Sequence, residues 1–224
     1  MNEDYAIIIC TKNEEMTIGD IIVRCQKHTK HIIVIDGHST DKTREIAAAL
    51  GIQVYHDSGK GKGDAVKIAL AKVDRKFLLF IDADGSHDPD DIPKLLKPLR
   101  EDLADHVVGS RILGGSDEAK KNIFQAIRML GGEIITWGIN RRFKTNITES
   151  QNGFRAIKRT VALELALTDD ITTIEQEMTI KTLKKGFRII EVPTREYCRC
   201  YGVSRFSAWR VWPQYLYSWI KHMI

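Results

Sequence analysis

Two carboxylates one residue apart, Asp82 and Asp84, close the apolar run Phe77-Leu78-Leu79-Phe80-Ile81 and lead into Gly85, Ser86, His87, Asp88 and Pro89. Acids that follow a buried strand are poorly solvated unless something positive meets them. Hard oxygen ligands at this spacing suit a divalent cation, and such a cation holds phosphate oxygens in turn. The same residues also have a purely structural use, Asp82 opening a turn and Asp88-Pro89 capping the helix that follows. A third acid, Asp36, ends the run 32–35, and Asn13 and Glu14 stand just past the run 5–10. A carboxylate accepts hydrogen bonds from the N–H groups of a nucleobase, and an asparagine serves base or ribose. Singly, each of these reads as a turn residue; grouped at adjacent strand ends, they read as a site.

Two stretches offer cations. Gly59-Lys60-Gly61-Lys62-Gly63 is not a Walker-type phosphate loop, because Lys62 is followed by glycine where a hydroxyl is required. It is not a dinucleotide fingerprint either, since that follows the first strand and this follows the third. A glycine loop bringing Lys62 to an anionic ligand and a solvated turn both remain open. Arg199-Cys200-Tyr201-Gly202-Val203-Ser204-Arg205 sets two guanidinium groups around a glycine. Their forked donors suit a pyrophosphate or phosphomonoester, and equally a solvated basic surface.

The elements that must position these groups are legible from periodicity. Strands are predicted over 5–10, 31–36, 53–55, 77–81 and 106–110. Helices are predicted from Thr17 to 27, over 42–50 with Gly51 as the stop, and over 65–72 with Asp64 as cap. Strand and helix alternating at short spacing predict an α/β protein with a mainly parallel, doubly wound sheet. Ligands of such sheets collect at the carboxyl ends of the strands. Beyond Arg111 the pattern changes to a helix over 120–137, an extended segment over 153–157, a helix over 173–185 ended by Gly186, and a late strand over 188–192. In the final stretch Phe206, Trp209, Trp212, Leu216, Trp219 and Met223 recur at three- and four-residue steps, with Pro213 placed to kink or restart the helix. Its Trp, Tyr, Arg and Lys content suits a membrane interface, and docking on the protein's own body or on a subunit partner fits the stripe equally well.

A chain of 224 residues buries a full core as one compact domain. The net charge of +4, from 34 basic and 30 acidic residues, is too mild to argue for nucleic acid and suits an anionic ligand or membrane surface. Cys10, Cys25, Cys198 and Cys200 show neither disulfide nor zinc spacing, which predicts reduced thiols in a cytoplasmic protein. The acidic start Met-Asn-Glu-Asp carries no export signal, and no apolar run reaches bilayer-spanning length.

These pieces occur in an order that resembles family 2 glycosyltransferases of the nucleotide-diphosphosugar transferase (GT-A-like) fold, most closely the dolichyl or polyprenyl phosphate mannose and glucose synthases. Thr11-Lys12-Asn13-Glu14-Glu15 resembles the family's Thr-x-Asn-Glu, and residues 35–43 its base-binding Asp-(Asp/Gly)-x-Ser-x-Asp-x-Thr. Gly61-Lys62-Gly63 resembles its Gly-Lys-Gly, and Asp82-Ala83-Asp84 its metal-binding Asp-x-Asp. Gly109-Ser110-Arg111, Gly153-Phe154-Arg155 and the 199–205 segment resemble three further motifs.

The resemblance implies a catalytic domain over 1–205, with a nucleotide-sugar half to 111 and an acceptor half after it, plus the amphipathic segment 206–224. It implies donor contacts from Thr11, Lys12, Asn13, Glu14, Asp36, Lys62, Asp82, Ala83, Asp84, Arg199 and Arg205. It also implies Mg2+ or Mn2+ held at Asp82, Asp84 and Ser86, and a reaction carried by Asp84, Arg111 and Glu177. Ser86 stands where the mannose synthases commonly place Gln, Glu149 where Asp is usual, and Arg205 where Lys is usual. The implied reaction is inverting transfer from a nucleotide diphosphate sugar, GDP-mannose or a UDP-sugar, to a polyprenyl phosphate at the inner face of the cell membrane. A homo-oligomer fits the same picture. A hydroxyl acceptor would need a general base, for which Glu175 and Glu177 are the candidates unless they only pair with Lys181 on a helix face. A nucleotide-sugar-binding protein without catalysis is the remaining alternative.

Overall fold

The structure is a computed structural model that describes residues 4–117, 123–199 and 208–224. Its centre is a seven-stranded sheet in the order β3-β2-β1-β4-β6-β5-β7. The strands are β1 (Tyr5–Thr11), β2 (Ile32–Asp36), β3 (Gln53–His56), β4 (Phe77–Asp82), β5 (His106–Ser110), β6 (Arg155–Lys158) and β7 (Ile189–Pro193). The continuous apolar runs of β1 and β4 are buried on both faces, as central parallel strands require. Strand β6 is the exception: it lies antiparallel between β4 and β5, with Phe80 opposite Arg155 and Val107 opposite Ala156.

One face of the sheet is covered by α1 (Ile18–Gln26), α2 (Thr43–Ala49) and α4 (Ile92–Arg100). The other carries α3 (Lys62–Lys72), α7 (Arg159–Glu164) and α8 (Ile174–Lys184). A one-turn α5 (Arg111–Gly114) follows β5. The long α6 (Ile123–Phe143) and the terminal α9 (Ala208–Met223) build a third apolar cluster with α8, through Ile135, Ile139, Ile180 and Tyr215.

Several boundaries depart from the sequence reading. Helix α3 begins at Lys62, so Asp64 sits in its first turn rather than capping it, and its carboxylate accepts the Ser58 N–H at 2.6 Å. Helix α6 runs six residues beyond the predicted end at Trp137. The extended segment 153–157 becomes β6, whose direction periodicity alone does not encode. Asp88 does cap, accepting from Asp90 N at 3.0 Å, and a short 3-10 turn over Pro89–Asp91 feeds α4.

The glycine run 59–63 is exposed at Gly59 and Lys60 and turns inward from Gly61 to Gly63. Gly61, at φ +132°, and Gly63 press against the backbone of Asp169, Asp170 and Ile171, where a Cβ would collide with carbonyl oxygens. That backbone fit aims Lys62 inward.

Helix α9 docks on the protein's own body, and Pro213 lies inside it without ending it. Trp212 and Trp219 close onto Gly131 and Gly138 of α6, positions that admit no side chain. Asp169 receives the hydroxyls of Thr173 and Ser218, both at 2.6 Å, and pairs with Lys221 at 2.8 Å and His222 at 3.1 Å. Burial works against that carboxylate, yet these hydrogen bonds hold its pKa far below the usual range. Phe206 and the side chain of Trp209 lie outside the described residues. Cys10 and Cys25 are free thiols, and burial pushes both up to about 12. No helix among the described residues is long and apolar enough to cross a membrane.

Candidate active site

Strands β1, β2 and β4 end at one edge, and the loops beyond them line a cleft of about 870 Å³. Thr11, Lys12, Asn13 and Glu14 enter it from β1, and Asp82, Ala83, Asp84, Ser86 and His87 from β4. Arg111 enters from the end of β5, and Glu149, Asn152, Glu175, Arg199 and Tyr215 come from the second half of the chain.

Lys62 is the cation on the cleft floor. Its ammonium lies 2.6 Å from Asp82 Oδ1 and 2.7 Å from Glu175 Oε1. Burial disfavours the ammonium, but the two carboxylates outweigh it and hold the Lys62 pKa well above the usual lysine value. The same pairing overcomes burial to keep Asp82 below the ordinary carboxylate range. Asp84 is held differently: its Oδ1 accepts the Ser86 N–H at 3.0 Å, and Arg199 Nη1 lies 3.7 Å from its Oδ2. Arg199 also pairs with Glu14, whose pKa burial nevertheless raises.

Arg111 is clamped at the rim between Glu149 and Glu196, each 2.6 Å away. These acids outweigh burial and raise its pKa further. Glu196 takes the Ser116 hydroxyl as well, at 2.5 Å. Neither acid was a site candidate from sequence. The signal was charge balance, since a half-buried guanidinium needs carboxylates, but partners 38 and 85 residues away are not recoverable from spacing.

Two other candidates, Asp36 and Glu177, lie outside the cleft lining. Asp36 is fully buried beneath the cleft and accepts Ser39 N at 2.9 Å together with the Ser39 hydroxyl. It shapes the turn after β2, whose neighbours Ile35 and Gly37 are the ones that reach the cleft. Asn13, at φ +55°, ties into that turn, donating its N–H to Ser39 Oγ at 2.8 Å and accepting from Thr40 N at 2.8 Å. Glu177 is fully buried outside the cleft, where its carboxylate accepts from Thr168 N and Asp169 N, both at 2.8 Å, and pairs with Lys181 at 2.6 Å. It also converges with Asp169 and His222, a grouping already balanced by the ammonium groups of Lys181 and Lys221. Arg205 lies outside the described residues.

Among the described residues, four buried polar atoms of the cleft lining have no hydrogen-bond partner: Thr11 Oγ1, His87 Nδ1, Asn152 Nδ2 and Glu175 Oε2. Each such atom costs about 1–3 kcal/mol unless a ligand or water satisfies it. The His87 ring stacks on Phe154 at 5.2 Å, and burial pulls its pKa below the usual value despite nearby Asp82 and Asp84.

A mostly parallel α/β sheet with charged groups converging at its carboxyl edge is shared with GT-A glycosyltransferases. Glucosyl-3-phosphoglycerate synthase from Mycobacterium tuberculosis, solved with Mn2+, UDP and glucosyl-3-phosphoglycerate, matches it with a TM-score of 0.80 at 19% identity, over 99% of this chain and 80% of that one. Residues 6–166 match Glycosyl transferase family 2, and the chain belongs to that family. It is 34% identical to glycosyltransferase AglJ of Haloferax volcanii over 86% of its own length, and it spans 63% of AglJ. It is 28% identical to the UDP-N-acetylglucosamine–dolichyl-phosphate N-acetylglucosaminyltransferase of Methanococcus voltae, over 89% of this chain and 88% of that protein.

Proposed function

We propose that the protein transfers a sugar from a nucleoside diphosphate sugar to a polyprenyl phosphate, with inversion at the anomeric carbon. The observation that carries this reading is the set of unpartnered polar atoms around the Asp82–Lys62–Glu175 floor, a lining suited to a polyhydroxylated, anionic ligand. The acceptor class follows the dolichyl-phosphate transferase from Methanococcus voltae.

In this reading the donor's nucleoside lies over Thr11, Lys12, Asn13 and the turn that Asp36 shapes. Arg199, with Arg205, meets its phosphates. Asp82 and Asp84 supply hard carboxylate oxygens that fit Mg2+ or Mn2+, with Ser86 beside them. Because Lys62 already engages Asp82, Asp84 is the principal ligand. A bound cation would stabilise charge growing on the leaving diphosphate. The bond from the anomeric carbon to the diphosphate breaks as one forms to an acceptor phosphate oxygen. That oxygen is ionised at neutral pH, so no strong base is needed, and Glu175 is left to orient a sugar hydroxyl. A hydroxyl acceptor is the second reading, favoured by the unpartnered Glu175 Oε2, which would then serve as the base.

Radiolabelled GDP-mannose or UDP-sugar, incubated with polyprenyl phosphate and Mn2+, is expected to yield label extractable into organic solvent. Chelation should abolish it, and Asp84→Asn should lower turnover about 100-fold or more. Label passing only to a soluble sugar would transfer the assignment to the hydroxyl-acceptor reading.

A further inference from the structure

We propose that α6 and α9 together present an outward apolar face that rests on an anionic lipid bilayer, an inference that builds on the lipid-phosphate acceptor proposed above. The two helices run parallel: Gly131 meets Trp212, and seven residues further along each helix Gly138 meets Trp219. At about 100° per residue, the α6 positions turned to α9 are 131, 135 and 138. Leu130, Ile134, Trp137 and Arg141 then fall about a quarter-turn to one side, while Gly132, Thr136 and Ile139 fall to the other, facing cleft and core. On α9, Tyr215, Ser218 and His222 face the body, and Pro213, Tyr217 and Ile220 point away from it.

In parallel neighbours these two outward sectors lie on the same side, so they form one continuous surface. Exposure agrees with the construction: Ile134 is 64%, Trp137 69%, Tyr217 69% and Ile220 47% accessible. Contiguous exposed apolar surface of this kind marks an interaction site. Its chemistry selects the partner. Trp and Tyr settle at the headgroup level of a bilayer. Arg141 falls in the outward sector, and exposed Arg142 and Lys144 follow it where α6 ends. Neither helix places an acid in the outward sector, the one acidic residue of the pair, Glu133, lining the cleft instead. An apolar face with a cationic border and no acid is complementary to anionic lipid.

The placement has a functional sense. Gly132, Glu133 and Thr136 on the same helix α6 wall the cleft. A phosphate carried in the headgroup layer therefore reaches the cleft past one helix, without its lipid tail crossing water.

Co-sedimentation of the full chain with vesicles of phosphatidylcholine, alone or mixed equally with phosphatidylglycerol, tests the assignment. Binding is expected to the anionic vesicles and to weaken with salt. The double variant Ile134→Glu/Ile220→Glu should bind them about tenfold more weakly or worse. Arg141→Glu/Arg142→Glu should remove the preference for phosphatidylglycerol. Mn2+-dependent nucleotide binding, followed by calorimetry, should be unchanged in both variants, which shows that they fold. A wild-type chain that stays in the supernatant with either vesicle overturns the proposal, as does a Glu double variant that pellets normally. Light scattering that finds a dimer split by the same variant would reassign the face to a second copy of the chain. Nucleotide binding absent from a wild type that still binds vesicles would remove the donor reading and leave the surface standing.

Discussion

Lys62 makes the cleft floor tenable. Asp82 and Glu175 share its ammonium, so Lys62→Met leaves two carboxylates facing each other with their common counter-charge gone. The expected loss is roughly 3 kcal/mol of folding stability, read from urea denaturation, with Lys62→Arg retaining most of it. His106 shows the opposite condition, a base held neutral. Its ring is fully buried against α8, with Nδ1 2.9 Å from Thr182 Oγ1, and burial followed by the charge of Arg155 drives its pKa well below the usual histidine value. The unfolded chain takes up a proton that the native state refuses. The contribution of His106 is therefore complete above the unfolded value of about 6.5 and falls by up to about 1.4 kcal/mol per pH unit as pH drops through it. Denaturation midpoints at about pH 7.5 and about pH 5.5 should show this decline, and His106→Gln should flatten it. Sequence could name Lys62 through its glycine setting. It could not name His106, whose state depends on neighbours brought in by folding.

At the scale of elements, the contact of α6 with α9 is set by absent side chains. Gly138 faces the Trp219 ring so closely that Gly138→Leu must push α9 outward. Because Tyr215 on that helix lines the cleft and bonds its hydroxyl to Thr172 O at 2.8 Å, the variant should lose about 1–3 kcal/mol of stability and also weaken ligand binding, seen together in a thermal-shift series with and without nucleotide. The helical stripe of the final segment was legible from Trp212, Trp219 and Met223, which lie against α6 and the third apolar cluster, whereas Leu216 of the same stripe is exposed. Its outward half was not, since the same spacing does not say which neighbour supplies the other side. Helix α3 shows a similar limit: Asp64 has the composition of a cap, but the fit of Gly61 and Gly63 to the 169–171 backbone starts the helix three residues earlier.

For the whole molecule, the parallel first half could be read from apolar runs that need cover on both faces, and Asp82 and Asp84 after β4 mark the cleft, whereas Asp36 after β2 lies buried beneath it. The second half was less legible because its strands depend on distant partners. Strand β6 takes its direction from β4 and β5 on either side, and short runs such as 155–158 carry no mark of orientation. Glu175 and Glu177 differ by two positions, and only the packing of α8 decides that the first meets Lys62 while the second holds the backbone at 168 and 169. That backbone belongs to a single bracket with two loads. The carbonyls of 169 and 170 seat the glycines flanking Lys62, while the side chain of Asp169 grips Ser218, Lys221 and His222 near the chain's end. Trimming the last helix would therefore strip a buried carboxylate of three partners and loosen the mount of the floor lysine in one stroke. Helix α9 is thus a fastening of the cleft floor itself.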